Sequence, residues 1–211
     1  MAFTIYGPTF STYVRTVQLT LAEKKLDFTV EDVNFLQGMP PEHFTRHPFG
    51  KVPAIDDNGV KLYETFAICR YIDEKYPEPA LQPKAVEDRA KMTQVINILD
   101  SYTYNALITR TVIPRVVVPM LGGTTDEGVI EGAKADVEKS LSVLDEIIGA
   151  KNFIVGDRLS LADLHFVPIY TYYQLTPDAN SQMETRHNIK RWFNAIKELD
   201  SVKKYCPPEL K

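Results

Sequence analysis

Cysteine is scarce in this 211-residue chain: Cys69 and Cys206 stand alone, far apart, in neither CxxC nor metal-ligand spacing. That excludes a dithiol redox motif and a cysteine metal site, and it suits a reducing, cytoplasmic setting. No run of about 18 apolar residues occurs, so no membrane-spanning helix is expected. The opening MAFTIYG lacks a charged segment followed by an apolar run, and no signal peptide is read there. An excess of basic charge is missing too. The formal net charge is −4 and the isoelectric point is near 5.6, which argues against nucleic acid as a partner, since phosphate binding needs a basic face. No internal repeat or low-complexity tract appears. What remains is an ordinary globular composition, 44% apolar and 25% charged, in a chain long enough for one large domain or two small ones.

The first eighty residues alternate between period-two and helical patterns. A short strand is expected over 2–6, ending at the turn signal Gly7-Pro8. Residues 11–25 carry Val14, Val17, Leu19, Leu21 and Ala22 at helical spacing. Residues 26–33 alternate as a half-buried strand, and 37–50 read as irregular. Residues 51–55 and 60–63 form a hairpin around Asp57-Asn58-Gly59, and 65–76 form a second helix. The fold class expected is therefore α/β plus all-α. A small domain over 1–77, with helices packed on a mixed sheet, joins an all-helical domain over 85–211 through a proline-rich, semi-rigid linker at 78–84. In the second domain, helices are expected over 85–120, with Pro114 and Pro119 kinking or ending the first, and over 126–149, 160–175 and 187–199.

Three local signals carry candidate chemistry. In the turn Gly7-Pro8-Thr9-Phe10-Ser11-Thr12, Ser11 or Thr12 is placed to cap the following helix; a hydroxyl beside free helical N–H groups also sits in positive potential and can hold a thiolate. In Phe49-Gly50-Lys51-Val52-Pro53-Ala54, proline falls just inside a strand, where it removes a ladder donor. That is either a plain edge-strand proline or a cis bond that turns the Val52 backbone toward an extended peptide. Glu64-Thr65 opens a helix, where Thr65 is either a simple cap or, with the first N–H groups, a carboxylate site, Glu64 then facing an ammonium.

In this order the three segments, with HPFGKVPAI and LYETFAICRYI, resemble the thioredoxin-like domain of cytosolic glutathione transferases, most closely the serine-type phi and theta-like classes. The second half contributes Phe153 to Asp163, FIVGDRLSLAD, similar to the family's capping-box segment, in which Ser160 and Asp163 cap a helix and Leu159 and Leu164 form a hydrophobic staple. The resemblance spans essentially the whole chain. It implies Ser11 as the catalytic residue, with Tyr6 as its competitor. It implies glutathione contacts from Lys51, Val52, a cis Pro53, Glu64 and Thr65, with glutathione as cosubstrate and neither metal nor prosthetic group. The basic residues of phi-type relatives after the second strand align with Gly38 and Met39, so either His43 or Arg46 replaces them or that contact is missing.

A small hydrophobic electrophile is the implied second substrate, with Phe10, Tyr102, Ile108, Ile113, Phe166 and Tyr170 as candidate contacts. Core packing is the plain reading of each. Arg110 and Arg115 are candidate anion contacts or simply solvated charges. Cys69 reads as core and Cys206 as exposed. The resemblance also implies a homodimer, with Phe49 either inserted into the partner or folded back on its own domain. Peroxidase or isomerase work by the same thiolate, and a non-catalytic ligand-binding or protein-interaction module, are the other readings.

Overall fold

The structure is a computed structural model that describes residues 3–35 and 38–208, without the side chain of Met183. Ala2, expected to open the first strand, Gln37, expected to open the irregular segment, and residues 209–211 lie outside it. The chain divides into two compact units between Gln82 and Pro83, within the proline-rich segment.

The first unit runs β1 (Phe3–Tyr6), α1 (Thr12–Glu23), β2 (Phe28–Glu31), a 3-10 turn (Pro41–Thr45), β3 (Ala54–Asp57), β4 (Val60–Tyr63) and α2 (Thr65–Lys75). The sheet order is β2-β1-β3-β4, with β1 and β2 parallel and the other pairs antiparallel. The parallel pair follows from α1 as the crossover; the antiparallel pair follows from the two-residue hairpin. In that hairpin Asn58 and Gly59 both have positive φ, 52° and 91°, the primed turn that matches strand twist. The expected strand over 51–55 begins later, at Ala54, because Pro53 has no N–H to give to the ladder.

Two ion pairs that the hydrophobic pattern does not single out hold this unit together. Lys24 is almost fully buried, ion-paired with Asp73 and donating to the Tyr76 and Pro79 carbonyls at 2.7 and 2.5 Å. Asp73 also accepts from the Leu81 N–H at 2.8 Å and from Gln82 at 3.0 Å, so one pair ties α1, α2 and the chain beyond α2. Asp57, expected in the turn, ends β3 as a buried carboxylate. Burial pushes its pKa up, but hydrogen bonds from Lys75, Tyr71 and Asn58 outweigh this and hold it below the usual range.

The second unit is helical throughout. α3 (Val86–Ile98) continues as π-helical turns over Leu99–Thr103 and Asn105–Val117, then a last turn, α4 (Val118–Met120). Pro114 lies within the widened turns and does not end the helix, whereas Pro119 sits in the final turn, one residue before the helix ends. Gly122, at φ 82°, then closes it: the Gly122 and Gly123 N–H groups return to the Pro119 and Val118 carbonyls, both at 2.9 Å. α5 (Glu127–Ile148) starts at an Asp126 cap.

α6 (Leu161–Tyr173) is buried along its whole length. Its capping carboxylate, Asp163, accepts from the Ser160 N–H and hydroxyl, the Ile154 N–H and the Trp192 indole, all within 2.9 Å. α7 (Asp178–Thr185), α8 (His187–Ile196) and α9 (Asp200–Tyr205) complete the unit. The sequence pattern misses α7 and α9 and overruns α8, because short polar helices carry little periodicity. Cys206 is buried, not exposed, and Cys69 is core as expected. No helix among the described residues is long and apolar enough to cross a membrane.

His165, inside α6, is fully buried. Burial lowers its pKa to about 4, the Leu161 backbone pulling the other way. The unfolded chain takes up this proton at the ordinary value near 6.5 and the folded chain resists it until about 4, so stability falls as pH drops across that window. At about 1.4 kcal/mol per tenfold difference in proton affinity, the loss reaches about 3 kcal/mol. Urea midpoints followed by Trp192 fluorescence should fall between pH 7 and 4.5, with a smaller fall in His165→Leu; parallel falls in the two proteins contradict the assignment.

Candidate functional site

The turn between β1 and α1 is held from below. Arg15, one helical turn after Ser11 and only 2% exposed, donates its Nε–H to the Thr9 carbonyl at 3.0 Å. The Ser11 N–H reaches the Pro8 carbonyl at 3.0 Å. Ser11, rather than Thr12, is the N-cap: its Oγ accepts from the Val14 N–H over a long 3.4 Å, and the side chain is half-buried. The hydroxyl proton has no acceptor among the described residues. It stands at the positive end of α1, free to donate.

Gly7 brings the second segment to this turn. A Cβ at Gly7 would lie 2.6 Å from Val14 Cγ2 and 3.0 Å from Val52 Cβ, and its φ is +150°. Only a residue without a side chain lets the β1 turn, the first turn of α1 and Val52 meet. The Val52–Pro53 bond is cis, and β3 starts immediately after it. Val52 makes no hydrogen bond through its own N–H or carbonyl among the described residues, while the preceding Lys51 carbonyl accepts from His43 Nε2 at 2.7 Å. The Lys51 side chain is exposed.

The third segment carries an outlier. Glu64 has φ 71° and precedes α2 with no side-chain cap, a conformation that costs a non-glycine residue about 1–3 kcal/mol and that clusters at ligand sites. Thr65 is at the edge of burial, and the Glu64 carboxylate is open to solvent, 3.9 Å from His47 Nε2. His47 itself is buried, and desolvation lowers its pKa against the pull of Glu64. Its ring lies tilted against Tyr63, 4.8 Å between centroids, and 6.3 Å from Phe49, which is 71% exposed.

The replacements considered for the missing basic pair are engaged elsewhere: His43 is buried against Lys51, and the Arg46 guanidinium lies over the Tyr6 ring, 4.0 Å from its centroid. Burial and Glu31 raise the Tyr6 pKa, and Arg46 opposes them.

Residues 5–80 match the family described as glutathione S-transferase, N-terminal domain, and residues 104–200 match its C-terminal domain. The chain belongs to the glutathione S-transferase family. Glutathione S-transferase F11 of Arabidopsis thaliana is 32% identical over 208 residues, 97% of each chain. Glutathione S-transferase 1 of Zea mays is 31% identical, over 95% of this chain and 94% of that one. Among solved structures, a glutathione S-transferase-I bound with lactoylglutathione superposes with a TM-score of 0.88 at 30% identity, over 99% of this chain and 100% of that one. The maize glutathione S-transferase I in complex with an atrazine glutathione conjugate gives 0.86 at 30% identity, over 99% and 98%.

The candidate electrophile contacts of this transferase differ in exposure. Phe10 is half-buried, edge-on to Phe35 at 5.8 Å. Phe166 and Tyr170 are core: Phe166 stacks on Trp192 at 4.8 Å and Tyr170 meets Phe193 edge-on at 5.0 Å. Ile108 is buried as well, whereas Tyr102 and Ile113 are exposed. Arg110 pairs with Asp136 and Arg115 with Glu127 and Asp178, so both are committed to carboxylates. A cleft of about 500 Å³ in the helical unit is lined by Thr111, Val137, Tyr173 and Gln182 among others, and by none of the candidate contacts.

Gly7→Ala should cost about 2 kcal/mol, in the range of overpacked cores. A thermal melt checks this; unchanged stability contradicts the close approach.

Proposed function

We propose that Ser11 of this glutathione transferase donates a hydrogen bond from its hydroxyl to the sulfur of bound glutathione and so favours the thiolate, which attacks a small hydrophobic electrophile. The observation that carries this is the Ser11 hydroxyl at the N-terminus of α1, half-buried and without an acceptor of its own. Val52 offers its backbone to the cysteinyl residue beside the cis Pro53. The Thr65 hydroxyl and the uncapped first turn of α2 take the γ-glutamyl carboxylate, Glu64 takes the ammonium, and Lys51 takes the glycyl carboxylate. Tyr102 and Ile113 are the exposed apolar candidates for electrophile contact on the helical unit. Relatives named glutathione S-transferases, and a maize enzyme seen with an atrazine glutathione conjugate, support the enzyme over a binding module.

The energetics suffice without a metal or a general base. A thiol with a pKa near 8.5 is mostly protonated at neutral pH, and lowering that value by about two requires roughly 2.7 kcal/mol of preference for the thiolate. A hydrogen bond to a charged group supplies about 1.5–3 kcal/mol, and the α1 dipole adds about 0.3–1. Serine stays protonated throughout.

Ser11→Ala should lower the conjugation rate by about one to two orders of magnitude, the free-energy equivalent of that bond, with a smaller change in glutathione affinity. The pKa of the bound thiol, read from the pH dependence of thiolate absorbance, should rise. Near-wild-type turnover in Ser11→Ala together with its loss in Tyr6→Phe would reassign the role to Tyr6.

The same reading includes a cytoplasmic homodimer. Phe49 is a large apolar group that meets His47 and Tyr63 of its own domain edge-on and still leaves 71% of its surface exposed. As an anchor entering a second copy it forms a two-fold contact, given and received once per subunit. Truncating such an anchor costs about 2 kcal/mol or more per copy, so Phe49→Ala should shift sedimentation at micromolar concentration toward monomer. A monomeric wild type, or a fully dimeric variant, contradicts this.

A further inference from the structure

We propose that His43 is a positioning residue for glutathione: its Nε2–H fixes the peptide group that presents the Val52 N–H. This rests on Val52 being the cysteinyl partner, as proposed above. His43 is 0% exposed, and its Nε2 lies 2.7 Å from the Lys51 carbonyl oxygen. A carbonyl only accepts, so Nε2 carries the proton and the tautomer is set. Nδ1 is buried and has no partner among the described residues, so the ring is committed in a single direction.

The Lys51 carbonyl and the Val52 N–H belong to one planar peptide group. The Lys51–Val52 bond is trans, and in a trans peptide the C=O and N–H point in opposite directions. Holding the carbonyl oxygen against a buried imidazole therefore turns the Val52 N–H away from the interior. The rest of the segment does not do this. Among the described residues Val52 precedes β3 without a ladder partner, Pro53 has no N–H, and Gly50, on the other side, donates to the His47 carbonyl at 2.8 Å. The Gly7 contact fixes where Val52 sits; the His43 bond fixes which way its peptide faces.

His43 itself is anchored by the 3-10 turn, where its carbonyl accepts from the Arg46 and His47 N–H groups at 2.8 and 2.9 Å. The irregular segment before the cis-proline thus acts as a bracket for the ligand's backbone, with His43 as its contact point.

The test compares two amides of different reach, using S-methylglutathione, which has no thiol to ionise. In His43→Gln the side-chain N–H lies about where the imidazole Nε2–H was; in His43→Asn it falls short of the Lys51 carbonyl. Calorimetry should show affinity about ten-fold weaker for His43→Asn, the equivalent of one neutral hydrogen bond, and within about three-fold of wild type for His43→Gln. Wild-type affinity in His43→Asn, or an equal loss in both variants, overturns the proposal.

Should His43→Asn fail to fold, nitrogen-15 spectra of the wild-type protein decide. They should show a protonated Nε2 with a scalar coupling across the bond to the Lys51 carbonyl carbon, and a protonated Nδ1 tautomer overturns the proposal. A wild type that shows this coupling yet does not bind S-methylglutathione instead refutes the reading of Val52, and the role of His43 falls with it.

Discussion

The candidate site depends on one close approach, that of the Gly7 backbone to Val14 and Val52. Strand β1 must end, the chain must turn into α1, and the segment leading to β3 must pass within van der Waals contact of that turn. A side chain at Gly7 would occupy the space that Val14 and Val52 share. Removing that one Cβ lets a helix N-terminus and a peptide backbone without ladder partners stand side by side. The neighbouring bonds serve the same geometry: Arg15 holds the Thr9 carbonyl under the turn, and His43 holds the Lys51 carbonyl beside it.

The rest of each unit supports its functional parts through buried polar groups that are multiply bonded. The Lys24–Asp73 pair is almost fully buried, and such a pair is tolerable only when its remaining hydrogen-bonding capacity is used. Here the Tyr76 and Pro79 carbonyls, the Leu81 N–H and Gln82 use it. In the helical unit Asp163 does the equivalent. A capping box alone would bond its own helix; this carboxylate also reaches Ile154 and Trp192, joining the start of α6 to the preceding loop and to α8.

Much of the site was legible because its signals are local. Ser11 as a cap, the Asn58-Gly59 hairpin and the Ser160-Asp163 box each follow from residue types at short spacing, and the structure contains all three. The electrophile contacts were not legible. Phe166 and Tyr170 have the apolar character of pocket residues and of core residues alike, and α6, buried on all sides, takes them as core. The burial of Lys24 and Cys206 and the carboxylate partners of Arg110 and Arg115 were equally hidden, because each depends on a residue brought in from elsewhere in the chain.

The sequence by itself determined the fold class, the family and the identity of the hydroxyl beside a helix terminus, since turn chemistry, capping and hydrophobic period are properties of neighbouring residues. Only the tertiary structure decided which of those residues face one another. Gly7 lies 45 positions from Val52, and Trp192 lies 29 positions from Asp163; no local pattern encodes either contact. His43 and Lys51 are eight apart, in a segment without helical or strand period, where direction is set by how the loop packs. Spacing along the chain specifies what a residue can do, and packing across the chain specifies to what it is done.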